Sequence, residues 1–376
     1  MERGVAQAGL TFVDLARETL KVGLMPVVVS ELKTITIGGA ISGCSIESQS
    51  FRYGGFHDNC LEYEIVTGQG EILTCSREKD PEVFELMHGS YGTLSILTKI
   101  TFKLMPAKPF VHLEYHRFNT YPELWKALNE HVEKADYPLI DGIIHARDHF
   151  TLCLGTLVDS APYVSNYEWL NVLYNSTRER KDDYLTTHHY FFRYDAECHW
   201  LSRTAGPLEN KLVRLALGKF VLGSSNLIAW SNRLRTVMRH VKRRPDVVVD
   251  VFIPGHRFDE FYAWYEKEFD FFPLWIVPYK MPAIYPWVSD EHMERMGRNT
   301  FMIDAAVYGR PNNDPRFDWS ERMEKKVYEL GGVKTLISRN HYTEEEFWQI
   351  YSKPRISAMK KRLDPKGVFP ELYARF

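Results

Sequence analysis

Thr36-Ile37-Gly38-Gly39-Ala40-Ile41-Ser42-Gly43-Cys44-Ser45-Ile46-Glu47-Ser48 holds three glycines and four hydroxyl side chains and no Lys or Arg. Glycine loses more conformational freedom on folding than any other residue. A cluster of it between ordered elements therefore marks positive-φ backbone or a ligand laid directly against peptide N–H groups. Successive N–H groups in such a nest bind an anion without a cationic side chain; a tight turn within a sheet satisfies the same composition. The segment is not G-x-G-x-x-G, and the chain has no G-x-x-x-x-G-K-[ST], so the dinucleotide-fold and P-loop readings lack their key residues.

Upstream, Phe12, Leu15, Ala16, Thr19 and Leu20 recur at helical spacing, opened by Thr11-x-x-Asp14 and closed by Gly23. Residues 25–29 read as a strand, and residues 34–48 carry no periodicity. Downstream, residues 61–65 alternate, Thr67-Gly68-Gln69-Gly70 turns and residues 71–75 return, which predicts a hairpin. A short helix over 80–87 and a strand over 96–104 follow, before Pro106 and Pro109 mark a boundary. The division expected is 1–106 and 107–376.

The second part mixes elements. A strand through Val111, Leu113 and Tyr115 leads to a helix with Leu124, Leu128 and Val132 on one face and a hairpin turning at Ala146-Arg147-Asp148. Strands over 247–253, 274–277 and 301–308 alternate with helices over 258–269 and 319–330. That order predicts an antiparallel sheet with helices on one face, an α+β domain. Residues 163–234 lack clean periodicity and read as an elaboration over a binding site. Thr343-Glu344-Glu345-Glu346 is a capping box, and the compact apolar tail beyond it is expected to dock, with residues 340–376 returning to the first domain.

A chain of 376 residues exceeds what one core usually fills. With 44% hydrophobic and 14% aromatic residues it suits a protein that encloses a flat or apolar ligand, and disorder is excluded over most of its length. Net charge is -2, so no global field recruits nucleic acid; the basic stretches at 239–244 and at Lys360, Lys361 and Arg362 read as solvated helix faces. Five cysteines without a C-x-x-C suggest neither a disulfide framework nor zinc, and fit a reducing, cytoplasmic setting. No apolar run approaches the roughly 20 residues of a membrane span.

His88-Gly89-Ser90-Tyr91-Gly92 approaches the G-x-S-x-G nucleophile elbow, but its first position is His and no strand precedes it, so Ser90 reads as a loop residue. His145, His149, His188 and His189 lack the carboxylate helix that a metal set needs, and no metal is expected.

The run 36–48, the following Tyr53-Gly54 and Asn59, the hairpin Tyr63-Glu64-Ile65-Val66-Thr67 with Gly70-Glu71, and Gly92-Thr93-Leu94 resemble the second flavin-binding subdomain of the vanillyl-alcohol-oxidase-type (PCMH-type) FAD family, in order and spacing. Leu363-Asp364-Pro365-Lys366-Gly367-Val368-Phe369 looks like the tail common in FAD-linked oxidases. Pro26-Val27, Glu31-Leu32, residues 36–39 and residues 43–48 resemble the family members that reduce a sterol side chain, nearly residue by residue. Arg193 with Trp200, Phe272-Pro273-Leu274-Trp275, Tyr308-Gly309 and Glu345-Glu346-Phe347-Trp348 fall in matching order, so the resemblance extends over essentially the full length. The fold it implies is the second half of a PCMH-type FAD-binding domain followed by an α+β cap or substrate domain. The family's N-terminal subdomain, whose glycine-rich loop wraps the FAD pyrophosphate, is expected ahead of residue 1.

The resemblance further implies non-covalent FAD held by Thr36, Ile37, Gly38, Gly39, Ala40, Ile41, Ser42, Gly43, Cys44, Ser45, Ile46, Glu47 and Ser48, with Gly92 and Ile96 closing the site. It also implies NADPH as electron donor, a sterol-like lipid or other small molecule as substrate, and a cytoplasmic location, peripheral to a membrane. Reduction of an isolated trisubstituted alkene must be led by protonation, because no carbonyl stabilises a carbanion, so a positioned acid is required. Arg193, Tyr308, His341 and Tyr342 are the candidates on matching segments, while Glu47 reads as a structural hydrogen-bond partner. Two other readings stay open: an FAD-linked oxidase of an alcohol, which needs a base instead, and a flavin-free remnant acting as a binding module.

Overall fold

The computed structural model describes residues 1–169, 171–197, 208, 210–227, 229–230, 233 and 244–376. Cys198, Trp200 and most of the basic stretch at 239–244 lie outside the described residues. The protein folds as α+β around two antiparallel sheets.

The first sheet joins β1 (Glu2–Gln7), β2 (Leu24–Pro26), β3 (Cys60–Val66), β4 (Ile72–Ser76) and β5 (Ile96–Pro106). The order is β1-β5-β3-β4, with β2 on the end of β5. The apolar run at 25–29 continues β2 for only two residues before leaving the sheet. Thr11 caps the Phe12–Leu20 helix by accepting from the Asp14 N–H, as its spacing predicts. Between β3 and β4, Gly70 sits at φ 83 and Thr67 Oγ1 accepts from the Gln69 and Glu71 N–H groups, closing the turn.

The second sheet has eight strands: β6 (Phe110–Phe118), β7 (Leu139–Ala146), β8 (His149–Val158), β9 (Asp182–Thr186), β10 (Val247–Pro254), β11 (Leu274–Lys280), β12 (Phe301–Arg310) and β13 (Val333–Lys334). Their order is β13-β10-β12-β11-β7-β8-β6-β9. Residues 163–234 are therefore more than an elaboration, because β9 completes the sheet edge against β6. Both faces of the central strands are covered, so β7, β8, β11 and β12 read as nearly continuous apolar runs. Leu274, Ile276, Ile303, Ala305 and Val307 pack with Phe258, Phe261, Tyr265, Met323 and Val327 from the helices. The alternate residues Trp275, Val277 and Ala306 turn to the opposite face, in the core shared with the first sheet.

Thr343 and Glu346 form the capping box of the Glu344–Ile350 helix. A second helix, Lys353–Leu363, brings the tail against the first sheet. The Gly68 N–H donates to the Leu363 carbonyl at 2.8 Å, and a Cβ on Gly68 would lie 2.1 Å from Asp364 Oδ1. Lys360 is not on a solvated face: it is buried, and its Nζ donates to the Thr93 and Phe369 carbonyls at 2.7 Å. Among the described residues no helix is long and apolar enough to cross a membrane.

Candidate active site

The glycine segment is ordered differently from an extended nest. Thr36 caps a short helix, Ile37–Ser42, its Oγ1 accepting from the Gly39 N–H at 3.2 Å. Gly43 ends the helix, and Cys44, at φ 55, turns the backbone away. Ile37 and Ile41 enter the core, while Ser42 Oγ returns to the Gly38 carbonyl. The glycines serve different ends. A Cβ on Gly38 would stand 2.9 Å from Ala8 Cβ and 3.1 Å from Ala8 O, so this glycine permits close packing on the residues after β1. Gly39 is open, meeting only Thr36 Oγ1 at 3.1 Å, and it lines a cleft. Gly38→Ala is expected to cost about 1–3 kcal/mol in urea unfolding through overpacking, and Gly39→Ala well under that, its effect falling on ligand uptake measured by absorbance.

The cleft has a volume of about 700 Å³, within the range of small-molecule sites. One wall is Thr36, Gly39, Gly43, Cys44 and Ile46, with Ser30 and Glu31 before them. The other is the second sheet, through Asp250, Phe252, Trp275, Asp304 and Tyr308. Ser30 and Ser45 hydrogen bond at 2.6 Å and tie the near wall together. Gly43, Cys44, Phe252 and Thr335 also border an inner apolar recess of about 50 Å³ that adds Tyr91, Tyr279, Met281, Trp287 and Met302. Among the described residues that line the cleft none is Lys, Arg or His, whereas three carboxyl groups and a phenol face it.

Strand register brings these acids together. Asp250 on β10 lies opposite Ala306 on β12, so Asp304 and Tyr308 are its two diagonal neighbours on the same face. Tyr308 OH donates to Asp250 Oδ1 at 2.8 Å. Burial pushes the Asp304 carboxyl well above the usual carboxylate range, and Asp250 and Glu31 push the same way. Burial likewise raises Glu31, reinforced by Glu47 and opposed by Arg193. Tyr308 is raised by burial and by Asp250. Glu31 and Asp304 are thereby biased towards their protonated forms.

Of the four candidates for the acid, Tyr308 reaches the cleft and Arg193, His341 and Tyr342 do not. Arg193 is buried away from it, its guanidinium 2.7 Å from Glu47 Oε1 and 3.3 Å from Asp141 Oδ2, stacked over Tyr190 and Tyr194. His341 and Tyr342 stand at the Glu324–Lys334 ion pair, the His341 N–H on the Glu324 carboxylate and the Tyr342 hydroxyl on the Glu324 carbonyl. Neither lines the cleft. Glu47 and Ser48 point into the Arg193 cluster, where Ser48 Oγ meets Tyr190 OH at 2.6 Å. Gly92 and Ile96 are exposed and border neither cavity; Ile96 opens β5 opposite Val66. Ser90 Oγ donates to the Met87 carbonyl in a loop. His145 and His149 sit together across the β7–β8 turn, and His188 and His189 lie on a separate helix, Thr187–Phe191.

Asp250 and Asp304 escaped sequence reasoning. The available signal was one Asp in the middle of each of two apolar strands, Val249-Asp250-Val251 and Ile303-Asp304-Ala305. A strand buried on both faces has no solvated side on which to place such a charge.

Residues 2–76 match the family model described as FAD binding domain. The protein is similar to the Delta(24)-sterol reductase of Homo sapiens, 23% identical over 359 residues that span 92% of this sequence and 68% of that protein. It is equally similar to the Delta(24)-sterol reductase of Arabidopsis thaliana, 23% identical over 399 residues, or 96% of this sequence and 70% of that protein. Cytokinin dehydrogenase 8 of Oryza sativa subsp. indica matches a shorter stretch, 35% identical over 133 residues, covering 35% of this sequence and 25% of that protein. The resemblance to PCMH-type flavoproteins carried by residues 36–48 is thus borne out.

Proposed function

We propose that the protein is an FAD-dependent oxidoreductase that reduces an alkene in the side chain of a sterol-like lipid, with NADPH as the source of electrons. One observation carries this reading: the cleft beside the glycine segment faces a wall of acids, the buried Glu31 and Asp304 and the half-buried Asp250 and Tyr308, without a cation among its described lining residues. An isolated alkene must receive a proton to be reduced, and a carboxyl group kept neutral by burial is suited to give it.

The cleft fits the uncharged ring portion of FAD. Gly39 presents only hydrogen to it, Gly43 and Cys44 border both it and the recess, and Phe252 and Trp275 supply flat apolar surface opposite. No Lys or Arg stands among the described lining residues, so this wall would hold the ring rather than the pyrophosphate of FAD. Bound there, FAD supplies the hydride. Gly39, Gly43, Cys44 and Ser45 would hold the ring, Leu32, Ile35, Ile337 and the apolar recess would take the hydrocarbon of the substrate, and the acid wall would manage the proton. The same wall tells against alcohol oxidation, which needs a base at the reacting carbon.

The test is to load the protein with FAD, record its visible spectrum, add NADPH anaerobically and then supply a sterol with a trisubstituted side-chain alkene. Flavin bands that bleach with NADPH, and a product that gains two hydrogens, one of them deuterium in D₂O, are expected. Flavin bands that return only with oxygen, with an alcohol oxidised instead, would overturn the reading. So would a protein that takes up no flavin.

A further inference from the structure

Within that proposed reaction the strand register separates the acids by role. Tyr308 has its proton committed to Asp250 at 2.8 Å, and burial makes it a weaker acid still. Glu31, across the cleft, is raised by burial and by Glu47 with Arg193 opposing, whereas Asp250 and Glu31 both push Asp304 towards its protonated form. Asp304 is 3% exposed, lines the cleft, and its Oδ1 has no hydrogen-bond partner. Buried carboxyl oxygens are ordinarily satisfied, and one that is not, at the wall of a cavity, waits for a group that arrives with a ligand.

Resting on the functional reading above, we infer that Asp304 is the proton donor of the reduction, giving its carboxyl proton to one carbon of the substrate C=C bond. The π electron pair becomes the new C–H bond, and the neighbouring, more substituted carbon is left electron-poor. That carbon accepts the hydride that NADPH provides by way of the cofactor. One π bond breaks, two C–H bonds form, and the Asp304 carboxylate regains a proton from water entering the cleft. Asp250, diagonal to it on β10, and Glu31, on the facing loop, are the acidic groups around Asp304, and both oppose its ionisation. Asp304 touches the reacting atoms, and Asp250 is a positioning residue that acts through it.

The test uses the FAD-loaded protein with Asp304→Asn and Asp250→Asn. In Asp304→Asn, single-turnover alkene reduction is expected to fall at least about 100-fold, the scale of lost general acid catalysis, while NADPH still bleaches the flavin. In Asp250→Asn, removal of the neighbouring carboxyl lowers the pH at which the rate declines on the alkaline side. A readout independent of turnover is the infrared spectrum of the cofactor-free protein at neutral pH: a protonated-carboxyl C=O band that shifts in D₂O is expected in the wild type and weaker in Asp304→Asn. An active wild type beside an Asp304→Asn variant within ten-fold of it, or a band unchanged in that variant, overturns the inference alone. A wild type that takes up flavin yet reduces no alkene overturns the functional reading, and the inference with it.

Discussion

Arg193→Met lowers the stability of the fold by about 3–5 kcal/mol, the cost of leaving buried charge without its partner. Arg193 joins three parts of the protein. Its guanidinium meets Glu47 at the end of the glycine segment and Asp141 on β7, and it stacks on Tyr190, whose hydroxyl bonds Ser48. Asp141 also accepts from Tyr194 OH at 3.0 Å and from Trp275 Nε1 at 2.7 Å. Trp275 walls the cleft. Without the arginine, Glu47 and Asp141 stand buried without their cation, and the carboxylate that anchors the Trp275 indole loses its partner. Urea unfolding of Arg193→Met against wild type gives the first effect directly. Arg193→Met with Glu47→Gln recovers part of the loss, because one of the two stranded charges goes with it. A single Arg193→Met variant within about 1 kcal/mol of wild type would show that the cluster is not held by charge.

Acid destabilises the protein between pH 6.5 and about 4, by up to about 3 kcal/mol for each of two buried histidines. Burial lowers His57 from 6.5 to about 4, with the nearby Asp58 opposing, and burial with Arg295 lowers His292 to about 4. Each ring stays neutral in the folded state through a window in which the unfolded state takes up a proton. The stability present above pH 6.5 is therefore lost as the pH falls towards 4. His57 Nε2 and the hydroxyl of Tyr285 meet at 2.8 Å, and that hydroxyl donates to Asp58 Oδ2 at 2.8 Å, which ties the ring to residues 279–285. Unfolding free energies measured from pH 4 to pH 7 should fall more gently in His292→Leu and in His57→Gln than in wild type. Equal slopes in all three proteins would place the acid sensitivity elsewhere.

Local signals in the sequence located nearly every element that has a strong period or a cap. The Thr11 and Thr343 caps, the β3–β4 hairpin and the strands from β5 to β8 follow from spacing that the backbone enforces within a few residues. The helix Ile37–Ser42 was hidden because Gly-Gly is a poor helix former, and here the Thr36 cap and the fit of Gly38 under Ala8 outweigh the propensity. β9 was hidden because five residues with two aspartates carry no clear alternation, and only pairing with β6 makes them a strand.

By itself the sequence determined the fold class, the hairpins, the capped helices and the segment at which a cofactor is to be sought. These depend on contacts between residues near one another along the backbone, or on a run of residues long enough to be distinctive. The tertiary structure alone decided which acids meet. Asp250 and Asp304 are 54 residues apart, and each is the one acid in an apolar strand. They share a face because β10 and β12 pair in a register that sets Asp250 opposite Ala306. A shift of that register by one residue would turn one of them into the opposite core, since side groups along a strand alternate with a period of two.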